Sequence, residues 1–232
     1  IKNKKVKWIK EINELNYGPI IFFGNEFFDS LPIKQIYKKK NIFFEKHVGL
    51  SKNKKKIKFL YKNAERNLIK NIRRFSLTGN NDIIEYPVTA IKYLNIIGKK
   101  IRKYNGAILT FDYGYKKDAN QNTLQSVKNH KFINIFYDPG NTDITHHINY
   151  KLFSEILKKH NLDVKKVTTQ SEFLQKLGIV ERANILAKKI SFKEKSDMFY
   201  RLKRLLHHKE MGALFKVLFA QNKKIKFSLG FQ

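Results

Sequence analysis

Short continuous runs of apolar residues mark the predicted strands of this chain, and apolar residues spaced three or four apart mark its predicted helices. The run Ile20–Phe23 is too short for an isolated helix, and its continuous apolarity favours a strand covered on both faces. Ala107–Phe111 is a second run of this kind, and it follows a segment, 88–104, with helical spacing. A helix followed by a buried strand predicts an α/β fold with a parallel sheet.

The segments between and after these runs predict two further features. Ile33–Tyr37, Ile42–Val48 and Lys56–Tyr61 are separated by lysine-rich turns and predict a small antiparallel β-meander. Residues 171–208 have mostly helical spacing, and Leu214–Ala220 predicts a final buried strand. The tail at 226–231 is a candidate for one more strand.

Polar side chains follow the two buried runs. Asn25, Glu26 and Asp29 come after the first, and Asp112 comes directly after the second. In open parallel sheets ligands bind beyond the carboxyl ends of the strands, so these four residues are expected along one edge of the sheet. A solvated turn, with Asp29 as a cap, is the alternative interpretation of the first group.

A metal site is one hypothesis for Asp143, His146 and His147, because acids and histidines are common metal ligands. Adjacent residues of a strand point to opposite faces, so the two histidines cannot both face one ion. A His147 that forms hydrogen bonds or shuttles a proton is the preferred prediction, and no metal site is expected.

The composition is strongly basic. The 232 residues carry a formal net charge of +29, and only seven of the 48 basic residues are arginines. Such a charge is typical of proteins that bind nucleic acid or anionic membranes. Here the lysines are spread along the whole chain and guanidinium groups are scarce, which favours a general bias in amino-acid composition over a binding surface. Nucleic acid binding beyond nonspecific attraction is therefore not expected. The chain has no cysteine, and no apolar run long enough to span a membrane.

Six ordered sequence blocks resemble the MidA-like family of S-adenosylmethionine-dependent methyltransferases. The block Asn25–Pro32 (NEFFDSLP) resembles the NEFFDALP signature of that family. The other five blocks are Gly106–Tyr115, ending in DYGY; Thr123-Leu124 with His130; Asp138–Tyr150; Thr169–Ile179; and Glu210–Leu218.

The resemblance implies a class I methyltransferase fold, which is a Rossmann-like α/β sheet that uses S-adenosylmethionine. It implies a methyltransferase domain at 1–170 and 209–232, with the β-meander at 33–61 as one insertion and a helical insertion at 171–208. The glycine-rich cofactor loop of the family has no counterpart here, since no G-x-G occurs in the sequence. The chain is therefore expected to be an N-terminally truncated piece that is inactive alone.

The resemblance also implies roles for particular residues. Methyl transfer requires an aligned nucleophile and a held cofactor, and carboxylates can orient a guanidinium group. The expected catalytic residues are Glu26, Asp29, Asp112, Asp143 and His147. Asn25 and Glu26 are expected to bind the cofactor. Phe27, Phe28, Tyr113 and Tyr115 are expected to wall the substrate site.

The expected function is protein arginine methylation linked to respiratory complex I assembly, with a protein substrate such as a complex I subunit. The alternatives are a non-catalytic assembly protein that keeps the fold, and an RNA-binding or RNA-modifying protein. The expected location is the cytoplasm for a bacterial protein and the mitochondrial matrix for a eukaryotic one.

Overall fold

The structure is a computed structural model that describes residues 6–53, 56–77, 83–116, 122–129 and 131–232. None of the helices in these ranges combines the length and the apolarity needed to cross a bilayer. A 3-10 turn at Ile12–Glu14 precedes the first strand. The strands are β1 (Ile20–Asn25), β2 (Lys34–Lys39), β3 (Ile42–Leu50), β4 (Ile57–Asn63), β5 (Ile83–Tyr86), β6 (Gly106–Tyr115), β7 (Gln125–Lys128), β8 (Lys131–Ile133), β9 (Asp143–Thr145), β10 (Ile148–Asn149), β11 (Leu162–Val164), β12 (Thr168–Thr169) and β13 (Phe215–Asn222). The helices are α1 (Arg66–Arg74), α2 (Val88–Tyr104), α3 (Tyr150–Lys159), α4 (Gln170–Lys176), α5 (Ile179–Ala187), α6 (Phe192–Leu206) and α7 (Met211–Leu214).

The chain divides into two compact units. The first contains the chain up to Gly24 together with Ile91–Phe111 and Phe153–Gln232. Its strands lie in the order β1-β6-β13-β11, and β12 also pairs with β13. Both β11 and β12 run antiparallel to β13. The core of this unit consists of side chains that are almost completely buried, namely Leu94, Ile97, Ile101, Ile108, Phe153, Ile156, Leu157, Val217 and Leu218.

The second unit contains Asn25–Ala90 and Asp112–Leu152. A four-stranded antiparallel sheet has the order β4-β3-β2-β5, and a three-stranded antiparallel sheet has the order β8-β7-β9. One face of the four-stranded sheet buries Ile36, Phe43 and Ile84, and α1 contributes Leu68 and Ile72 to the buried set. The end of β6 also belongs to this unit, and β10 pairs with it in parallel.

The main elements predicted from the apolar pattern are confirmed. The meander forms as β2, β3 and β4, the predicted helix at 88–104 is α2, and the buried last strand is β13. Helices α4, α5 and α6 occupy the segment predicted to be helical at 171–208. The mixed sheet and its helices confirm the α/β class, whereas the division into a methyltransferase domain with two insertions stays a prediction.

Three local predictions are wrong. β1 is not covered on both faces, because Ile21 and Phe23 are 77% and 68% exposed while the alternate residues are partly buried. The tail at 226–231 forms turns and coil, not a strand. β6 does not end before Asp112 but continues to Tyr115, because β10 supplies a partner for Gly114 and Tyr115.

Candidate functional site

The loop that follows β1 opens with a strained residue. Glu26 has a φ of 47°, which side chains other than glycine rarely adopt, and its side chain is exposed. Asn25 Nδ2 donates to Glu26 Oε1 at 3.4 Å. Backbone strain of this kind concentrates at functional sites, where the surrounding structure maintains it. The two residues expected to bind the cofactor therefore lie side by side, facing solvent.

Asp112 fixes the next part of this loop. It lies inside β6 and is 0% exposed. Its Oδ2 accepts the backbone N–H of Phe28 at 3.1 Å and that of Asp29 at 3.2 Å. Its Oδ1 accepts the N–H of Tyr113 at 3.0 Å. The expectation that Asp112 stands at the carboxyl end of a strand is wrong, but the structure does bring it to Asp29.

The electrostatics of this carboxyl pair are unusual. Burial, and after it the nearby charge of Asp29, raise the pKa of Asp112 to about 8, against the three N–H groups that favour the ionised form. Two carboxylates that share one buried site cannot both ionise easily. Asp112 is therefore mostly protonated at neutral pH.

Tyr113 connects the pair to the segment around His147. Its half-buried hydroxyl forms side-chain hydrogen bonds with Asp29 and Thr145, and burial together with the Asp29 bond raises the pKa of Tyr113 well above its usual value. The ring of Tyr113 lies edge-on to the ring of His147, with centroids 5.4 Å apart. The Oδ1 atom of Asp29 is buried and has no hydrogen-bond partner among the described residues.

His146 also holds the loop after β1 in place. It is buried, and its N–H donates to the carbonyl oxygen of Asp29 at 3.1 Å. Its ring Nε2 lies 3.1 Å from the carbonyl oxygen of Leu31, and Nδ1 lies 3.2 Å from that of His147. His146 therefore holds the loop after β1 through both its main chain and its ring.

Glu85, a buried carboxylate on β5, supports the segment that forms a hydrogen bond with His147. Glu85 accepts the backbone N–H groups of Thr123 and Leu124 at 2.9 and 3.1 Å and the Thr123 hydroxyl. It also accepts Gln35 Nε2 at 2.8 Å. The Thr123 hydroxyl in turn accepts the N–H of His147 at 2.9 Å. Glu85 therefore positions the segment against which His147 rests.

The remaining predicted site residues are more scattered. Asp143 is exposed at the start of β9, where it pairs with Val127. Phe27 is 41% exposed and stacks edge-on against Phe28, which is buried. Tyr115 is half-buried at the end of β6. His130 lies outside the described residues.

Sequence reasoning missed Glu85, Thr145 and Tyr150 as parts of this site, and it considered His146 only as a candidate metal ligand. Tyr150 is fully buried, and its hydroxyl donates to the main-chain oxygen of Asp112 at 2.8 Å. A carboxylate inside the apolar run IIEY was the available signal for Glu85, since a strand buries an acid only where it is hydrogen-bonded. In the ranges that the structure describes, no cluster of three histidine, cysteine or acidic side chains is arranged to hold a metal ion.

Comparisons with known proteins agree with this fold. Residues 1–168 match the family model described as "Putative S-adenosyl-L-methionine-dependent methyltransferase". The chain is 26% identical over 226 residues to the mitochondrial protein arginine methyltransferase NDUFAF7 homolog of Caenorhabditis elegans, covering 97% of this chain and 52% of the relative. It is 26% identical over 221 residues to the NDUFAF7 protein of Xenopus tropicalis, covering 91% of this chain and 49% of that one.

A solved structure gives the same result for the fold. A likely methyl transferase from Burkholderia thailandensis, bound to S-adenosyl-homocysteine, superimposes with a TM-score of 0.79 at 21% identity. The match covers 97% of this chain and 58% of that one. The chain thus spans about half the length of the curated relatives it matches. Because the family model matches well over half of its residues, the chain belongs to this family of S-adenosyl-L-methionine-dependent methyltransferases.

Proposed function

We propose that this chain forms the part of an S-adenosylmethionine-dependent protein arginine methyltransferase that binds the arginine to be methylated. The observation that carries the proposal is the Asp29 carboxylate, which is 4% exposed and keeps one buried oxygen without a hydrogen-bond partner among the described residues. A buried carboxylate oxygen is costly unless a donor reaches it. A guanidinium group has five N–H donors in a planar fork and is well suited to supply one.

The residues of this chain fit the cofactor as well as the arginine that accepts the methyl group. Asn25 and Glu26 are exposed polar groups at the carboxyl end of β1, the kind of position where α/β sheets bind their ligands. Asn25 and Glu26 would hold the methionyl end of S-adenosylmethionine. When bound, this cofactor supplies a methyl group on a positively charged sulfur.

The residues of this chain then have separate tasks. Asp29 Oδ1 accepts an N–H of the guanidinium and fixes its orientation, and Glu26 offers a second carboxylate from the strained loop. Asp112 holds the main chain of Phe28 and Asp29 and does not itself need to touch the acceptor. His147, in ring contact with Tyr113, is the acceptor of the proton that the methylated nitrogen releases.

The identity of the partner belongs to the same proposal. The relatives that match are named as mitochondrial protein arginine methyltransferases, which supports a protein substrate for this chain. A subunit of respiratory complex I is the proposed target, and the mitochondrial matrix is the proposed location in a eukaryote. In a bacterium the proposed location is the cytoplasm.

The test uses the complete protein in two steps. Calorimetry measures binding of S-adenosylmethionine, and transfer of labelled methyl groups to protein is followed by analysis for methylated arginine. Asp29→Asn should lower methyl transfer by about 10²-fold, the usual cost of losing one preorganised polar contact. Asp197→Asn, at an exposed position of α6, is the matched control and should have no effect.

The outcomes separate the proposal from its rival. Cofactor binding with methylarginine formation supports the enzyme. Failure to bind the cofactor would favour a non-catalytic assembly protein that keeps the fold.

A further inference from the structure

β4 is an edge of the four-stranded sheet in the second unit. Its seven residues, Ile57–Asn63, pair antiparallel with β3. In the described part of the chain no other strand pairs with its second side. An edge strand of this length presents a row of main-chain N–H and C=O groups that can pair with another extended chain.

One face of this edge is apolar and open to solvent. The β3–β4 register places Tyr61 opposite Lys46, Phe59 opposite Val48 and Ile57 opposite Leu50. Residues directly opposite each other share a face, so these side chains form one strip across the two strands. Val48, Leu50 and Tyr61 are 65%, 55% and 55% exposed.

Aromatic contacts fix the inner border of the strip. The Phe59 ring lies 4.5 Å from the Phe136 ring, and Lys46 Nζ lies 3.8 Å from the Phe59 centroid. The Tyr61 ring contacts the Tyr37 ring at 6.2 Å. These contacts hold the strip in shape, and its exposed part includes Tyr61 on the outermost strand, β4.

The chain along this edge is strongly basic, and Glu45, which the register sets opposite Lys62, is buried and paired with Lys34. From Ser51 to Ala64 the sequence contains six lysines and no acidic residue. Lys58 and Lys62 are exposed, and their positions in β4 alternate with those of Ile57, Phe59 and Tyr61, so they lie on the opposite face. Lysines on an edge strand oppose pairing with a second copy of the same edge, because the like charges would meet.

We propose that the free edge of β4 binds an extended, acidic polypeptide segment by β-strand addition. The main chain of the segment pairs with β4, as in other complexes in which a peptide extends a sheet. Alternate apolar side chains of the segment cover the strip of Val48, Leu50 and Tyr61. The intervening carboxylates lie beside Lys58 and Lys62.

This surface is distinct from the carboxyl pair, and its use does not depend on methyl transfer. Binding is therefore measured without any cofactor, so its failure and the failure of the proposed enzyme activity are distinguishable.

The experiment uses a fluorescent peptide of about eight residues in which valine and glutamate alternate, matching the length of β4. Binding is followed by anisotropy at physiological ionic strength, where exposed charges are screened beyond about 8 Å. A peptide N-methylated at two adjacent central residues lacks a donor on both of its edges and should bind about tenfold more weakly, a loss of about 1.4 kcal/mol. A peptide N-methylated only at its two terminal residues should bind like the parent.

Protein variants test the charge component. The double variant Lys58→Glu and Lys62→Glu should weaken binding about tenfold. The matched control, Lys193→Glu with Lys195→Glu on exposed positions of α6, should change it less than about twofold. Circular dichroism verifies that each variant is folded.

Two results would overturn the proposal. One is equal binding of a peptide with the same composition in scrambled order, which would show that the charge of the peptide alone accounts for binding. The other is equal binding of the centrally N-methylated peptide, which would exclude main-chain pairing and does not depend on any protein variant.

Discussion

Asp112 holds Asp29 through the main chain, since the carboxyl group of one accepts the N–H of the other at 3.2 Å. The same carboxyl oxygen accepts the N–H of Phe28, so the loop after β1 is fixed by a residue 84 positions away in sequence. Asp112 is therefore engaged by the main chain of the loop, while Oδ1 of Asp29 is buried and has no hydrogen-bond partner among the described residues.

The first prediction concerns stability and pH. Burial raises the pKa of Asp112 to about 8, so between about pH 4 and pH 8 the folded protein binds a proton that the unfolded chain has lost. The resulting stabilisation is complete below about pH 4 and is lost as the pH rises to about 8. The free energy of unfolding, measured by urea denaturation, should fall by up to about 1.4 kcal/mol per pH unit across this range.

The variant Asp112→Asn should flatten this dependence, because an amide does not titrate. Asp197→Asn, at an exposed position of α6, is the control and should keep the wild-type slope. An unchanged slope in Asp112→Asn would show that another group causes the pH dependence.

The second prediction concerns Glu85. Its carboxylate accepts from Thr123, Leu124 and Gln35, and in Glu85→Gln an N–H₂ group replaces one acceptor and faces a donor. We expect a loss of about 1–3 kcal/mol in the free energy of unfolding. Hydrogen exchange should accelerate at the amides of Thr123, Leu124 and His147. Glu181→Gln, on an exposed position of α5, should leave both measurements unchanged.

The third prediction compares two glycines. At Gly114 an added Cβ would collide with the main chain of Ile148, the residue that pairs with it from β10. Gly114→Ala should therefore cost about 1–3 kcal/mol in the free energy of unfolding, as overpacking usually does. At Gly140 the added Cβ meets no atom, and only the φ of +95° opposes it. Thermal unfolding should show the smaller loss for Gly140→Ala, and the reverse order would contradict the geometry.

The fourth prediction tests Glu26 in the complete protein. Glu26→Gln keeps the size of the side chain but removes the charge that would help to orient a guanidinium, so methyl transfer should fall by about 10²-fold. The exposed position of Glu26 predicts that stability changes little. Unchanged transfer by a normally folded variant would remove Glu26 from the site.

The elements that could be predicted from sequence are those whose apolar pattern is strong. Helix α2 has regular helical spacing, and β13 is a continuous apolar run that is buried in the structure. β1 misled the prediction because a run of four apolar residues does not reveal how many faces are covered, and Ile21 and Phe23 are exposed. The tail at 226–231 was too short and too mixed for its pattern to decide.

The candidate site was predictable to the extent that its residues occur in recognisable blocks. Asp29 and Asp112 were both selected, and the structure brings them together. The role of Asp112 was not predictable, because whether a carboxylate faces a ligand or the main chain depends on the path of the loop at Phe28 and Asp29. Glu85 carried a local signal, an acid inside an apolar run, but its partners Thr123 and Leu124 are remote in sequence and could not be predicted.

The burial of acidic side chains in the second unit has a consequence for the way the protein meets other molecules. Asp29, Glu45, Glu85 and Asp112 are all buried, and Asp112 is mostly protonated at neutral pH, so its carboxyl group adds no negative charge to the protein. The net charge at neutral pH is therefore slightly more positive than the formal value of +29, and dissolved ions set the distance over which its field acts. Encounters with acidic polypeptides should be fast in dilute buffer and slow steeply as salt is added, whatever chemistry follows contact.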